Sequence, residues 1–225
     1  MIKKTVLLLA LAILIDAFML VFIWAHRLFV TELNPFMGAV VVVLSLLVGI
    51  PLAIFAIKRL VGLLSSEGSM DPETVFVLGA FIFLIGGLVN QLFFRQTTLD
   101  IQVHDTLFVI AHTHVTIFVA LLLLFFAGVY AGYPRVTGRV MNAPMGYLHF
   151  AITLVAAYAI NWPVAYEGLA GMPRRYIDYS SWIDISRYGW MGTFTGWAAV
   201  LMICAQLLFL VNVVYSAVNG RKFRP

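Results

Sequence analysis

The 225-residue sequence contains few charged residues, since Asp, Glu, Lys and Arg together make up only 11% of it. Hydrophobic residues make up 63%, and the mean hydropathy is +1.00. A soluble domain is about a quarter charged, and at this size it has too little interior to hide such an excess of apolar side chains. The composition therefore excludes a soluble globular domain and a disordered chain, and it indicates a polytopic membrane protein. The apolar residues stand in long runs without alternation, which argues against a β-barrel.

Cysteine is nearly absent, because Cys204 is the single residue of this type and allows no intramolecular disulfide. The net charge of +4 is small. In a membrane chain it reflects basic residues on the cytoplasmic side, so it does not point to a nucleic-acid partner. Internal repeats and low-complexity tracts are also absent. We therefore interpret residues 1–225 as a single membrane domain.

Six apolar segments are long enough to cross a bilayer, which takes about 20 residues. They lie at about 5–25, 36–57, 74–95, 107–132, 146–165 and 189–215. Turn signals separate them: Asn34-Pro35, the stretch 65–72, Gly132-Tyr133-Pro134 and Gly171-Met172-Pro173. The predicted fold is an all-α bundle of six transmembrane helices.

Basic residues predict the orientation of this bundle. Six spans place both termini on one side, which holds nine basic residues against five on the other. The nine are Lys3, Lys4, Lys58, Arg59, Arg135, Arg139, Arg221, Lys222 and Arg224, and the five are Arg27, Arg95, Arg174, Arg175 and Arg187. Cytoplasmic loops carry the excess of Lys and Arg. We therefore expect both termini in the cytoplasm.

Ionisable residues cluster at the opposite, outer ends of the spans. They are His26, Asp100, His104, Asp105, His112, His114, Arg174 and Arg175. Ionisable residues at membrane depth are functional candidates by default.

His112 and His114 form the most informative pair. Residues two apart on a helix are separated by about 200°, so these imidazoles point to opposite faces and cannot hold one ion together. They can instead ligate two different centres, such as two haem irons, each taking one axial bond. The alternative is that both are polar residues that hydrogen-bond across helices.

The adjacent guanidiniums of Arg174 and Arg175 suit a bound polyanion, since each offers a fork that matches a carboxylate. Haem propionates are such an anion. The alternative is a solvated loop with no bound anion.

Four motifs resemble, in order, parts of subunit I of the haem–copper oxidases. Residues 99–106 (LDIQVHDT) and 109–114 (VIAHTH) resemble that subunit's tenth helix, and residues 171–179 (GMPRRYIDY) resemble its next outer loop. Residues 24–31 (WAHRLFVT) and 34–36 (NPF) resemble its seventh helix and the following turn. Residues 128–138 fit the cytoplasmic turn between its tenth and eleventh helices. The chain thus resembles the carboxyl half of the subunit, helices seven to twelve.

The resemblance implies roles for individual residues. His112 matches the axial ligand of the high-spin haem beside copper, and His114 matches an axial ligand of the low-spin haem. Arg174 and Arg175 match the pair that binds the haem propionates. The remaining matches are Asp100 with a carboxyl near a propionate, His104 and Asp105 with a Mg²⁺ site, and His26 with a copper ligand.

Two departures from the family pattern concern copper and protons. The position of a second copper histidine holds Arg27, and a guanidinium cannot ligate a metal. The lysine that the family carries four residues after a helix-eight proline is Phe55 here, following Pro51. Helices one to six, with their metal ligands, have no counterpart in the sequence. We therefore expect no complete copper site in this chain.

Two functions follow from the resemblance. In the first, the chain is a haem-binding half of a divided subunit I, completed by another chain that supplies helices one to six. It would serve electron transfer from cytochrome c or a quinol to oxygen, or to nitric oxide, and would be an enzyme only as part of that complex. In the second, it is a non-catalytic relative that has lost copper and packs in a respiratory assembly. Both place the chain in the cytoplasmic (inner) membrane with other subunits.

Overall fold

The computed structural model describes residues 61–62, 70–94, 97–175, 177–178 and 185–223. The predicted spans at about 5–25 and 36–57 lie outside these residues. His26, Arg27 and Phe55 also lie outside them.

The described residues form helices. The first two are α1 (Pro72–Phe94) and α2 (Thr97–Val103). A long helix follows, made of α3 (Leu107–Thr113), a π-helical segment π1 (His114–Val119) and α4 (Ala120–Thr137). The last two are α5 (Ala143–Leu169) and α6 (Ile185–Asn219). Extended pairing in this part of the chain is limited to two isolated bridges, Thr106 with Pro173 and Arg139 with Lys222, so the all-α prediction is confirmed.

Three helices are long and apolar enough to cross a membrane: Leu107–Thr137, Ala143–Leu169 and Tyr188–Asn219. At about 1.5 Å per residue they run for roughly 40 to 48 Å, which exceeds the hydrocarbon thickness of about 30 Å. Pro72–Gly87 in α1 is a shorter apolar stretch. The apolar helices confirm a membrane protein and correspond to the last four predicted spans.

The helix ends follow local chemistry. Thr106 caps α3, since its side-chain oxygen accepts the N–H of Phe108. Asn142 caps α5 in the same way, through the N–H of Met145. Gly171, past the end of α5, has φ +92°, which a glycine adopts without strain. The predicted boundary at residues 171–173 is thereby confirmed.

The predicted boundary at Gly132-Tyr133-Pro134 is wrong. The helix continues through Pro134 and ends at Thr137, where Gly138 adopts φ +70° and its N–H bonds to the Pro134 carbonyl at 3.0 Å. Proline removes one helical hydrogen bond, and within the last turn of a packed helix that loss is tolerated. The C-terminal glycine therefore ends this helix.

The core of the described bundle lies where α1 packs against α4 and α5. Phe76, Leu123 and Phe126 are at most 4% exposed. His149, which is fully buried, enters the same core from α5, with its ring 4.5 Å from that of Phe126 and its Nδ1 3.3 Å from the Tyr130 hydroxyl. These contacts fix α5 against the long helix, and the outer ends of both helices carry the candidate site.

Candidate functional site

The loop after α5 crosses the start of α3 and joins two motifs that are far apart in sequence. The N–H of Leu107 donates to the Met172 carbonyl at 2.9 Å, and the N–H of Arg174 donates to the Asp105 carbonyl at 2.9 Å. Thr106 and Pro173 pair between them. This backbone junction sets where the Arg174 side chain begins relative to Asp105.

Gly168 allows the two segments to approach so closely. A Cβ atom at this position would lie 1.9 Å from the backbone nitrogen of Phe108 and 2.6 Å from its Cα. Those are backbone atoms and cannot rotate away, so only glycine fits in the last turn of α5.

Asp105 is the centre of a three-residue ionic cluster. Its Oδ1 accepts from Arg174 Nη2 at 3.1 Å, and its Oδ2 lies 3.0 Å from His104 Nε2. The Asp105 side chain is 71% exposed, whereas that of Arg174 is only 20% exposed. Arg174 Nε is buried and has no hydrogen-bond partner within the described ranges. Arg174 therefore keeps a donor available for a further anion.

The His104 ring is held from its other side. Nδ1 lies 3.1 Å from the carbonyl oxygen of Asp100 and 3.1 Å from that of Ile101. A backbone carbonyl on one nitrogen directs the other towards its partner, as in metal sites where such a bond orients the ligating imidazole. His104 Nε2 and Asp105 Oδ2 thus form a pair of candidate ligands.

The described residues contain no group of three or more His, Cys, Asp or Glu side chains that could hold a metal ion. A cation between His104 and Asp105 would need its remaining ligands from water or from groups outside the described residues.

Arg174 and Arg175 differ in their surroundings. Arg175 is exposed and has φ +69°, a left-handed conformation that is uncommon for residues other than glycine. Within the part of the chain that the structure describes, no ion pair involves Arg175. The two adjacent arginines therefore differ in burial and in ion pairing.

His112 and His114 lie on different sides of the long helix. His112 is partly buried, and its ring stacks on that of Phe108 with centroids 6.4 Å apart. His114 is exposed, and its ring lies 5.2 Å from that of Phe118. Residues four apart share a helix face, so the two pairs mark two separate faces, as the spacing predicted.

A π-helical turn begins at His114. π-Bulges inside α-helices occur frequently at functional sites, and the extra residue changes the rotation between His114 and the rest of the helix. No local pattern in the sequence predicts this π-helical turn.

The structure brings His104, Asp105 and Arg174 into direct contact. It places His112 and His114 in the helix that begins beside them at Leu107, and Asp100 half-buried in α2. His26 lies outside the described residues. Sequence reasoning missed Thr106, Met172 and Gly168, although Thr106 directly before an apolar run is a recognisable N-cap signal.

Comparison with known proteins gives a consistent result. A family profile described as cytochrome C and quinol oxidase polypeptide I matches residues 4–203. The alternative cytochrome c oxidase subunit 1 of Bradyrhizobium diazoefficiens is 32% identical over 200 residues, covering 88% of this chain and 34% of the relative. Cytochrome c oxidase subunit 1 of Bacillus subtilis is 30% identical, with 93% and 33% covered, and that of Thermostichus vulcanus is 28% identical, with 89% and 35% covered.

The chain spans about a third of the length of each of these relatives. The matched region nevertheless runs through nearly all of the chain itself, and it includes the helices that carry the candidate site. This chain therefore belongs to the cytochrome c and quinol oxidase polypeptide I family.

Proposed function

We propose that this chain is a haem-binding membrane subunit of a respiratory terminal oxidase complex. We further propose that it is one half of a divided subunit I, completed by another chain that supplies the first six helices. Family membership and the naming of the relatives as cytochrome c oxidase subunit 1 support the oxidase role.

The observation that carries the haem proposal is the pair of imidazoles on two faces of one helix. His112 would hold the iron of the high-spin haem, and His114 would hold the iron of the low-spin haem. When bound, haem supplies one-electron transfer and an iron that binds oxygen. The chain's own residues position it: each imidazole is flanked by a phenylalanine ring four residues away, which limits its rotation.

Arg174 and Arg175 would bind the propionates. The donor set fits, because Arg174 Nε is buried without a hydrogen-bond partner among the described residues and its side chain is mostly shielded from solvent. A buried donor left unpaired costs about 1–3 kcal/mol, and a propionate oxygen would remove that cost. Asp100, in the helix just before this cluster, matches the family's carboxyl near a propionate.

His104 and Asp105 would contribute to a Mg²⁺ site. The carboxylate oxygen suits this hard cation, and Mg²⁺ usually retains several waters, which agrees with a site to which the described residues bring two side chains. His26 stays a candidate copper ligand by resemblance, and Arg27 beside it argues against a normal copper centre.

The alternative function is a non-catalytic relative that packs in a respiratory assembly. Arg27 and Phe55 favour it, because each replaces a residue that the family uses for copper or for proton transfer. In both functions the chain would lie in the cytoplasmic membrane with both termini in the cytoplasm, and cytochrome c or a quinol would donate electrons to the complex.

Spectroscopy of the purified complex tests the haem proposal. His114→Ala should abolish a low-spin haem spectrum, and His112→Ala should abolish a high-spin one. Thr113→Ala is the matched control, because the Thr113 hydroxyl bonds to the Val109 carbonyl of its own helix and points to neither centre by this proposal. Unchanged spectra in both histidine variants would refute it.

A further inference from the structure

At the end of the bundle away from the candidate site, the turn between α4 and α5 forms backbone hydrogen bonds with the segment after α6. The N–H of Val140 donates to the Arg221 carbonyl and the N–H of Phe223 donates to the Gly138 carbonyl, each at 2.8 Å. Arg139 and Lys222 form an isolated bridge between them. We name residues 138–140 and 220–223 the basic clasp.

Buried side chains hold the basic clasp in place. The N–H of Asn142 donates to the Ser216 hydroxyl at 2.9 Å, and its carbonyl accepts from Asn212 Nδ2 at 3.1 Å. Asn212 and Ser216 are fully buried in α6 and bond to each other at 2.9 Å. Buried side chains of α6 therefore hold the clasp together in addition to its own backbone pairing.

Three cations project from this small surface. Arg139 Nη1 donates to the carbonyls of Val218 and Gly220, at 2.8 and 3.0 Å. Arg221 and Lys222 are exposed, and none of the three forms an ion pair with a described carboxylate. Arg135 is close in sequence, but its charge interacts with the carboxylate of Glu73, so Arg135 is not one of these three cations.

Exposed apolar side chains lie beside these cations in the chain. Val136 is 87% exposed, Val218 is 67% exposed and Phe223 is 38% exposed. On α6, exposed Val211, Val214 and Val218 recur at helical spacing, which makes an apolar stripe that runs from the membrane-spanning part of the helix towards the clasp.

The position of the basic clasp relative to the bilayer follows from helix length. Thr137, Ala143 and Asn219 end or begin three helices that can span a membrane, and the clasp joins these same ends. Helices of about 40 to 48 Å match the full bilayer thickness of about 40–45 Å, headgroups included. The clasp therefore lies at the level of lipid headgroups.

We propose that the basic clasp binds the headgroup phosphate of an acidic phospholipid, whose acyl chain packs along the Val211–Val214–Val218 stripe of α6. Clusters of Lys and Arg next to a membrane span attract anionic lipids. An acidic protein segment would pair with the cations. It would leave the adjoining apolar stripe of α6, which continues into the membrane, without a partner. The site is roughly 38 Å along the long helix from His112, so it is independent of the haem proposal.

Lipid titration of the full-length chain, purified with its assembly and delipidated in detergent, tests the inference. Native mass spectrometry would count phosphatidylglycerol and phosphatidylcholine bound per assembly. Arg221→Gln with Lys222→Gln should weaken phosphatidylglycerol binding about 30-fold, and Lys222→Gln alone about 5-fold. The reason is that each cation near an anionic surface contributes a similar amount to the binding free energy. Arg221→Lys with Lys222→Arg keeps both charges and should bind as the wild type does.

Three outcomes would overturn the proposal. One is equal binding of phosphatidylglycerol by the wild-type and neutralised variants. Another is displacement of the lipid by inorganic phosphate at matched concentration, which would mark a site for the free ion. The last is a cross-link from Lys222 to an acidic segment of another subunit in the wild-type assembly. Preferential, phosphate-resistant binding that disappears in the neutralised variants supports the proposal.

Discussion

Asp105 connects the two groups of residues on which the oxidase assignment depends. Its carboxylate accepts from Arg174 and faces His104, while its backbone carbonyl accepts the N–H of Arg174. Because the side chain is 71% exposed, solvent screens the ion pair, and its contribution to stability is about 0–1 kcal/mol. We therefore expect Asp105 to position the Arg174 side chain and to place a negative charge beside it. We expect it to contribute little to folding.

Asp105→Asn tests this role. The amide oxygen can still accept from Arg174, but the negative charge is removed. With haem bound as proposed, loss of a negative charge beside it should disfavour the oxidised iron, so the reduction potential should rise. The free energy of unfolding should change by less than about 1 kcal/mol. Redox titration and thermal unfolding of the complex give the two quantities.

Asp71→Asn is the matched control for Asp105→Asn. Asp71 lies directly before α1, at the basic-clasp end of the bundle, so the same loss of charge there should leave the potential unchanged. An unchanged potential in Asp105→Asn, or equal shifts in both variants, would contradict the positioning role.

At the scale of the residue, the sequence alone names candidate site residues but does not give their contacts. The two-apart spacing of His112 and His114 was sufficient to predict opposite faces, because helix geometry alone determines it. The Asp105–Arg174 pair could not be predicted from spacing, because the two residues are 69 positions apart and meet through backbone hydrogen bonds of a loop.

At the scale of the element, helix starts were predictable and helix interruptions were not. Thr106 caps α3 by a local side-chain bond that the sequence displays. Pro134 stands inside a helix because packing outweighs the loss of one hydrogen bond, and tertiary packing has no local signal. The π-helical turn at His114 likewise has no local signal in the sequence.

Gly168→Ala tests the junction between α5 and α3. The added methyl group would lie 1.9 Å from the Phe108 backbone nitrogen, so the two helices would have to separate. Overpacking of this kind typically costs about 1–3 kcal/mol, occasionally more. We expect a lower thermal unfolding midpoint of the purified complex and weaker haem retention, since the junction also positions Arg174.

Gly128→Ala is the matched control for Gly168→Ala. Gly128 is exposed within α4 and a Cβ there would meet nothing within 4 Å. Alanine is the better helix former by roughly 0.5–1 kcal/mol, so this variant should be neutral or slightly stabilised. Equal midpoints for the two variants would show that the close approach at Gly168 does not constrain the junction.

At the scale of the whole molecule, the described residues leave the proposed haem positions partly uncovered. His114 is exposed, and α6 leaves most of its apolar side chains uncovered within the described residues. A haem placed on His114 would therefore need its second axial ligand and further cover from groups outside the described residues.

The last prediction follows from this incompleteness. Expressed alone, the chain should bind haem at well below one per chain and show no low-spin spectrum. Co-expressed with a partner chain that carries six spans and a helix-two histidine, it should co-purify with that chain and regain the spectrum. Haem-to-protein ratios and metal analysis of both preparations provide the test.

Full haem occupancy of the isolated chain would contradict the divided subunit. One tightly bound copper per chain would contradict the expectation from Arg27, because a guanidinium cannot ligate a metal.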